Sequence, residues 1–284
     1  MQLSGIQTVC MLLEIGVSDM SVYDINKNDL VNEMSGLRLS LLGDSVSAYV
    51  GTIPSNNHAF YKGSNCGVSS PDQMWWKVLC DELGMTPLII DGHAGSAISW
   101  LEDADHRSKI PMSDNSRCGR LGNISHNPDI IVIAGGLNDY TYAQSAQSEP
   151  LPWDGKTAPT EGNSFTETYA CMLKKLQTNY PQAMIACLSS WFTMRGTDNG
   201  YTLTHAVGSN VYTQADYDSA IEYVCDKMNT LYIDVSNIGF NRSNFYPNFT
   251  TESTNSTHPN AAGHKIMGLA IASKLPILAK AFFK

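Results

Sequence analysis

Four residues in this 284-residue sequence carry groups that could act together chemically, and each lies beside the end of a predicted strand or helix. Ser45 follows the apolar run LRLSLL, Gly95 lies in DGHAGS after PLII, and Asn138 lies in GGLNDY after DIIVIA. His258 lies near the C-terminus in NSTHPN, before a helical pattern. The set offers a hydroxyl, a backbone N–H, a side-chain amide and an imidazole.

These are the groups that acyl transfer requires. A serine hydroxyl is a weak nucleophile until a neighbouring imidazole takes its proton. The tetrahedral intermediate carries an oxyanion, and one fixed N–H donor to it lowers the barrier by about 3–4 kcal/mol. A glycine N–H can approach a substrate closely, and an asparagine side chain can donate as well. The pattern therefore predicts a serine hydrolase if the fold brings the four segments together.

Short apolar runs alternate with helical patterns along the chain, which predicts an α/β fold. The predicted strands are 37–42, 87–90, 129–134, 183–188 and 231–235. The predicted helices are 72–83, 165–180, 214–228 and one that follows Pro259 and breaks at Pro276. Nearly continuous apolar runs are typical of strands buried on both faces. We expect a three-layer α/β/α domain with a five-stranded, mainly parallel sheet. Ligands bind beyond the carboxyl ends of such strands, which places the four segments at one edge.

The same segments resemble the sequence blocks of the SGNH (GDSL) hydrolase family, in the family's order, over residues 38 to about 270. The blocks are Gly43-Asp44-Ser45, Gly95, Gly136-x-Asn138-Asp139 and His258-Pro259-Asn260. The resemblance implies a flavodoxin-like sheet, with Ser45 as nucleophile and His258 as general base. It also implies an oxyanion hole formed by the backbone N–H groups of Ser45 and Gly95 and by Asn138 Nδ2. We expect Asp44 and Asp139 to support these loops by accepting backbone N–H bonds.

The block before His258 departs from the family pattern. The family usually has D-x-x-H there, whereas this chain has Asn255 in place of the aspartate. The acid normally fixes the imidazole tautomer, and replacing it by asparagine in a serine protease lowers kcat by about 10⁴. Asn255 could orient His258 through its carbonyl oxygen and leave a slower enzyme. Alternatively, a neighbouring carboxylate such as Glu252 replaces the acid, or Asn255 is a deliberate substitution that traps a ligand.

Two long segments, 140–163 and 193–212, predict loops that form a substrate rim. Their aromatic residues among polar neighbours favour a sugar over a long acyl chain, which predicts removal of acetyl or another short acyl group from carbohydrate. The candidate rim residues are Tyr140, Trp153, Trp191 and His205. One alternative is a lipase or phospholipase-type acylhydrolase. Another is a catalytically weak glycan-binding module of a phage or cell-surface assembly.

Composition excludes several other classes. The net charge of −9 disfavours nucleic acid and anionic membranes as partners. Seven cysteines without a CxxC pair predict neither a disulfide framework nor a metal site, and we expect no cofactor. The N-terminal apolar stretch contains Glu14 and predicts neither a signal peptide nor a membrane span. We expect residues 1–36 to be an N-terminal extension and residues 37–284 to be the hydrolase domain; cytoplasmic, virion and exported locations stay open.

Overall fold

A computed structural model describes residues 33–63, 65–100, 110–142, 146–195, 198–199, 204–207, 209–254 and 256–280. Its strands are β1 (Arg38–Gly43), β2 (Thr86–Gly92), β3 (Ile130–Ala134), β4 (Met184–Leu188), β5 (Met194–Arg195), β6 (Asp198–Asn199), β7 (His205–Val207), β8 (Asn210–Tyr212) and β9 (Leu231–Ile233). Most of the predicted 1–36 extension lies outside the described residues, so the domain boundary stays a prediction.

Five of these strands form one parallel sheet in the order β2-β1-β3-β4-β9. This order confirms the predicted five-stranded α/β fold, and each predicted strand overlaps an observed one. All five residues of β3 and of β4 are buried, as expected for strands covered on both faces. The other four strands form two short antiparallel pairs, β5 with β6 and β7 with β8, within the segment predicted as a loop.

The helices are α1 (Trp75–Leu83), α2 (Asn115–Gly119), α3 (Leu137–Tyr142), α4 (Phe165–Asn179), α5 (Gln214–Met228), α6 (Phe245–Asn248) and α7 (Ala261–Ala279). Short 3₁₀ helices cover Ser45–Ser47, Asn65–Gly67, Pro71–Gln73 and Ala146–Ser148. Helix α1 packs against α7, and α4 packs against α2 and α5. Right-handed crossovers place these two groups on opposite faces of the sheet. Among the helices described, none has the length and apolar character needed to cross a bilayer.

The expected break at Pro276 is wrong, because α7 continues through this residue to Ala279. Pro276 lies in the last turn and is buried beside Leu275. A proline removes one backbone hydrogen bond from a helix. The lost bond is the one to the carbonyl of Ala272, and the buried proline ring adds apolar surface that offsets part of this cost.

The first three strands end at the same level of the sheet. Gly43, the last residue of β1, pairs in register with Gly92 of β2 and with Ala134 of β3. The chain leaves all three strands on this carboxyl edge, which is where α/β sheets bind ligands. The segments that carry Ser45, Gly95 and Asn138 therefore begin side by side.

Candidate active site

Ser45 begins a short 3₁₀ helix directly after β1. Asp44 caps this helix, because its Oδ1 accepts the backbone N–H of Val46 at 2.9 Å. The backbone N–H of Ala48 donates to Ser45 O at 3.1 Å and closes the turn. Burial raises the pKa of Asp44 to about 6. The serine hydroxyl is thus held on a rigid turn, and 8% of the residue is exposed.

The turn lies unusually close to the end of β2. A Cβ atom added to Gly92 would lie 2.9 Å from Ala48 Cα and 2.9 Å from the carbonyl carbon of Ser47. Backbone atoms at that distance have to move, since a side chain cannot rotate away. Glycine at position 92 therefore allows the turn at residues 44–48, named the nucleophile turn after its candidate nucleophile Ser45, to pack directly on the strand end.

His258 joins this turn from the far end of the chain. Its Nε2 lies 3.1 Å from Ser45 Oγ, within hydrogen-bond distance. Its other ring nitrogen, Nδ1, lies 3.0 Å from Glu252 Oε1. The three side chains form a continuous chain of hydrogen bonds from carboxylate to imidazole to hydroxyl. This is the arrangement that activates a serine nucleophile.

Glu252 is fixed on both carboxylate oxygens. Oε2 accepts the backbone N–H groups of Thr257 at 2.9 Å and of His258 at 3.1 Å, while Oε1 faces the imidazole. Burial alone would raise the pKa of Glu252, but the hydrogen bonds and charge of His258 outweigh it and lower the pKa below 4.5. The carboxylate is therefore ionised near neutral pH. Asn255 lies outside the described residues. Glu252, which the second sequence-based interpretation named, is the carboxylate within hydrogen-bond distance of His258 Nδ1.

The two other segments at this edge carry Gly95 and Asn138. Gly95 has a φ of +77°, a left-handed conformation that suits glycine. Asn138 lies in the first turn of α3, and its Nδ2 donates to Ser96 O at 2.8 Å. This bond joins the loop after β2 to the loop after β3. Both candidate donors of an oxyanion hole thus lie on neighbouring, connected segments.

Asp139 strengthens the same connection. Its carboxylate accepts the backbone N–H of Ile98 at 2.8 Å and that of Ser99 at 2.9 Å. The carboxylate is fully buried, and burial raises its pKa to about 6. Asp139 therefore supports the loop after β2 from the start of α3.

Sequence comparison identifies the family. The profile of the GDSL-like Lipase/Acylhydrolase family matches residues 37–192, which is more than half of the chain. The chain belongs to this family. It is thus a GDSL-type serine hydrolase. Comparison with curated protein sequences found no match.

Solved structures with the same fold include several esterases. A Bacteroides ovatus protein described as a GDSL-like lipase has 20% identity and a TM-score of 0.59, covering 85% of this chain and 98% of that one. An aryl esterase of M. smegmatis has 17% identity and a TM-score of 0.53, covering 86% and 100%. A carbohydrate acetylesterase from Sinorhizobium meliloti has 15% identity and a TM-score of 0.53, covering 85% and 99%. At these identities the likeness shows the fold.

Two residues of the predicted aromatic rim of this GDSL-like hydrolase, Tyr140 and Trp191, are buried in the structure. They are 1% and 2% exposed, so neither offers an open ring face at the surface. Trp153 is 8% exposed and lines a cavity together with Tyr212 and Tyr223. Trp191 Nε1 instead donates to Thr257 O at 3.3 Å, next to His258. The Tyr140 ring packs edge-on against His205, a half-buried residue of β7, at 5.9 Å. The Tyr140 and Trp191 rings are core and support residues because their large apolar faces are covered by neighbouring elements. A rim role for Trp153 and His205 stays a prediction.

A buried ion pair beneath the site was missed at the sequence level. Arg117 of α2 is completely buried, and its Nε donates to Asp91 Oδ1 at 3.0 Å. Its Nη2 donates to Gly43 O at 3.0 Å and to Asp91 O at 2.7 Å. The guanidinium thus ties the ends of β1 and β2 together under the nucleophile turn. No local pattern marks this role, since the partners lie 26 and 74 positions away along the chain.

The residues that the structure describes do not form a cluster of metal ligands. No group of three or more His, Cys, Asp or Glu residues there could hold a metal ion. The cysteines within this part of the chain are all free thiols.

Proposed function

We propose that this GDSL-like hydrolase is an esterase that removes acetyl or other short acyl groups, with a carbohydrate as the alcohol part of the substrate. The observation that carries the proposal is the chain Glu252–His258–Ser45, with separations of 3.0 and 3.1 Å. It provides an activated nucleophile with a fixed base.

The reaction proceeds in two steps. Ser45 Oγ attacks the carbonyl carbon while His258 Nε2 takes the hydroxyl proton, and Glu252 stabilises the imidazolium. The oxyanion accepts hydrogen bonds from the N–H groups of Ser45 and Gly95 and from Asn138 Nδ2. The intermediate collapses as His258 returns the proton to the departing alcohol, which leaves an acyl ester on Ser45. A water molecule, deprotonated by His258, then releases the acid and restores Ser45.

Access to Ser45 favours a small acyl group. Only 8% of this residue is exposed, and a short acyl group can reach a nucleophile of such limited exposure more easily than a long chain can. The segment that leads to His258 has exposed hydroxyl side chains, those of Thr251, Ser253 and Thr254. Hydroxyl groups suit a hydroxyl-rich alcohol such as a sugar. The fold shared with the Sinorhizobium meliloti carbohydrate acetylesterase is consistent with this substrate class.

A series of p-nitrophenyl esters tests the acyl preference. We expect kcat/KM to fall steeply from the acetyl to the octanoyl ester. An increase along the same series would instead support the lipase-type alternative. Acetylated xylose and glucose, assayed by acetate release, then test the sugar, and hydrolysis of simple aryl acetates without any of acetylated sugars would contradict it.

Covalent labelling tests the nucleophile. Intact mass spectrometry after treatment with a fluorophosphonate should show one adduct on the wild-type protein and none on Ser45→Ala. A label on both proteins would remove Ser45 from the mechanism. Glycan binding by a wild-type protein that takes no label would favour the binding-module alternative.

A further inference from the structure

The His258 imidazole lies flat against a second ring. The ring centroids of Phe60 and His258 are 3.4 Å apart and the planes differ by 10°. Phe60 is half-buried and belongs to the segment between the nucleophile turn and α1. The two hydrogen bonds of the imidazole lie in the ring plane and do little to prevent the ring from tilting out of that plane. The phenyl ring, stacked on one face of the imidazole, restrains this tilt.

The backbone of Phe60 is fastened to the nucleophile turn. The N–H groups of Phe60 and Tyr61 donate to Ala48 O at 3.1 and 3.0 Å, and Ala48 N in turn donates to Ser45 O. The carbonyl of Phe60 accepts Asn65 Nδ2 at 2.9 Å. The phenyl ring is therefore held at a set position relative to Ser45.

The neighbouring residue is fastened to the loop that carries the base. Tyr61 is completely buried, and its hydroxyl donates to Pro259 O at 2.9 Å. Pro259 directly follows His258. Residues 60 and 61 thus connect the nucleophile and the base, which lie 213 positions apart along the chain.

We infer that Phe60 is a positioning residue for His258. The Phe60 ring holds the imidazole in the plane that contains both Ser45 Oγ and the Glu252 carboxylate. The inference rests on the proposed function, since it concerns the same base. Misplacement of a reacting group by about 1 Å can lower a rate about 10²-fold, so a restraint on ring tilt has a kinetic effect. The phenyl face also attracts a cation within about 6 Å, which favours the imidazolium formed at each proton transfer.

Three variants test this role. Phe60→Leu keeps apolar volume but removes the flat ring, and Phe60→Tyr keeps the ring. Phe240→Leu is the control for the loss of a phenyl ring, because the buried Phe240 ring contacts Phe245 and Phe249 and not the imidazole. We expect kcat for p-nitrophenyl acetate to fall about 10- to 100-fold in Phe60→Leu with little change in KM. Phe60→Tyr and Phe240→Leu should retain wild-type kcat.

Two further measurements separate positioning from other roles. The imidazole proton resonances of His258 are shifted by the ring current of a stacked phenyl group, and Phe60→Leu should move them while Phe60→Tyr should not. The ratio of kcat/KM for acetyl and hexanoyl esters should be the same in Phe60→Leu as in wild type. A changed ratio would make Phe60 part of the acyl pocket and overturn the inference.

Failure of the inference is distinguishable from failure of the proposed function. An active, fluorophosphonate-labelled wild type with an equally active Phe60→Leu would overturn the role of Phe60 and leave the esterase intact. A wild-type protein without label or ester hydrolysis would overturn the proposed function itself.

Discussion

Glu252 Oε1 lies 3.0 Å from His258 Nδ1, and the two residues are six positions apart in the chain. The same carboxylate accepts the backbone N–H groups of Thr257 and His258 through Oε2. The short loop before His258 therefore curves around the Glu252 carboxylate, which accepts its backbone N–H groups. This carboxylate orients both the backbone and the ring of the base.

We predict that Glu252→Gln lowers kcat by about 10²- to 10⁴-fold, because a neutral amide stabilises the imidazolium poorly and can select the wrong tautomer. Steady-state hydrolysis of p-nitrophenyl acetate measures the change. The hydrogen bonds and charge of His258 outweigh burial and hold the pKa of Glu252 below its usual value, so the carboxylate is ionised near neutral pH and the ratio of wild-type to variant kcat should be constant from pH 6 to 8.

Asn255 provides the matching control for Glu252. If Asn255 oriented His258, Asn255→Asp would raise kcat toward that of a full Ser-His-Asp arrangement. Since Glu252 already occupies Nδ1, we expect Asn255→Asp to leave kcat unchanged. A large gain in this variant, together with a small loss in Glu252→Gln, would contradict the assignment of the acid.

We predict that Asn138→Ala lowers kcat about 10²- to 10³-fold with little change in KM, because its amide is expected to bind the oxyanion and not the ground-state ester. Asn123→Ala, in an exposed turn, is the control. A variant that raised KM and kept kcat would place Asn138 in substrate binding instead.

Gly92→Ala tests the close approach of β2 to the nucleophile turn. The added Cβ would push on backbone atoms of Ser47 and Ala48 at 2.9 Å, and overpacking of this kind destabilises by about 1–3 kcal/mol. Displacement of the turn should also lower kcat about tenfold or more. Gly119→Ala, where a Cβ meets nothing within 4 Å, is the control. Equal thermal stability and kcat in both variants would argue against a rigid turn.

Asp91→Asn tests the buried ion pair beneath the site. The variant leaves the Arg117 guanidinium buried without its carboxylate, which is expected to lower the free energy of unfolding by about 3–5 kcal/mol at pH 7. Urea denaturation measures this difference. Asp81→Asn, which affects an exposed pair with Lys77, should lower stability by about 0–1 kcal/mol.

The same variant predicts a pH dependence of stability. Burial alone would raise the pKa of Asp91, but the hydrogen bond from Arg120 and the charge of Arg117 outweigh it and lower the pKa below 3.8. A lowered pKa in the folded state adds stability above the ordinary pKa and loses it as the pH falls through the lower value. The difference in the free energy of unfolding between wild type and Asp91→Asn should therefore be largest near pH 7. It should decrease as the pH falls below the ordinary pKa of an aspartate. A constant difference would contradict this linkage.

The strands were predictable because their signal is local. Each predicted run overlaps an observed strand, and the differences lie at the strand ends, for example at Asp91 and Gly92, which extend β2 beyond the apolar run. Helix α5 has the predicted bounds, 214–228. The short strands β5–β8 were not predicted, because two- or three-residue pairs carry too little periodicity to separate them from a loop.

The aromatic side chains show where local pattern fails. Tyr140 stands among polar residues in the sequence and Trp191 follows two serines, which favours exposure, yet both are buried in the fold. Phe60 lies in an unremarkable segment, yet its ring stacks on His258, 198 positions later. Burial and ring contacts depend on which distant elements cover a residue, and a single sequence does not contain that information locally.

The sequence by itself determined the groups available for acyl transfer, the order of the strands and helices, and the edge of the sheet at which Ser45 lies. These follow from residue type and local periodicity, which act over a few neighbouring positions. The tertiary structure decided which carboxylate orients His258, which ring stacks on it and which arginine ties the strand ends. Those choices depend on the path of loops that long-range packing fixes, so residues far apart in the chain had to be brought within 3–4 Å of each other.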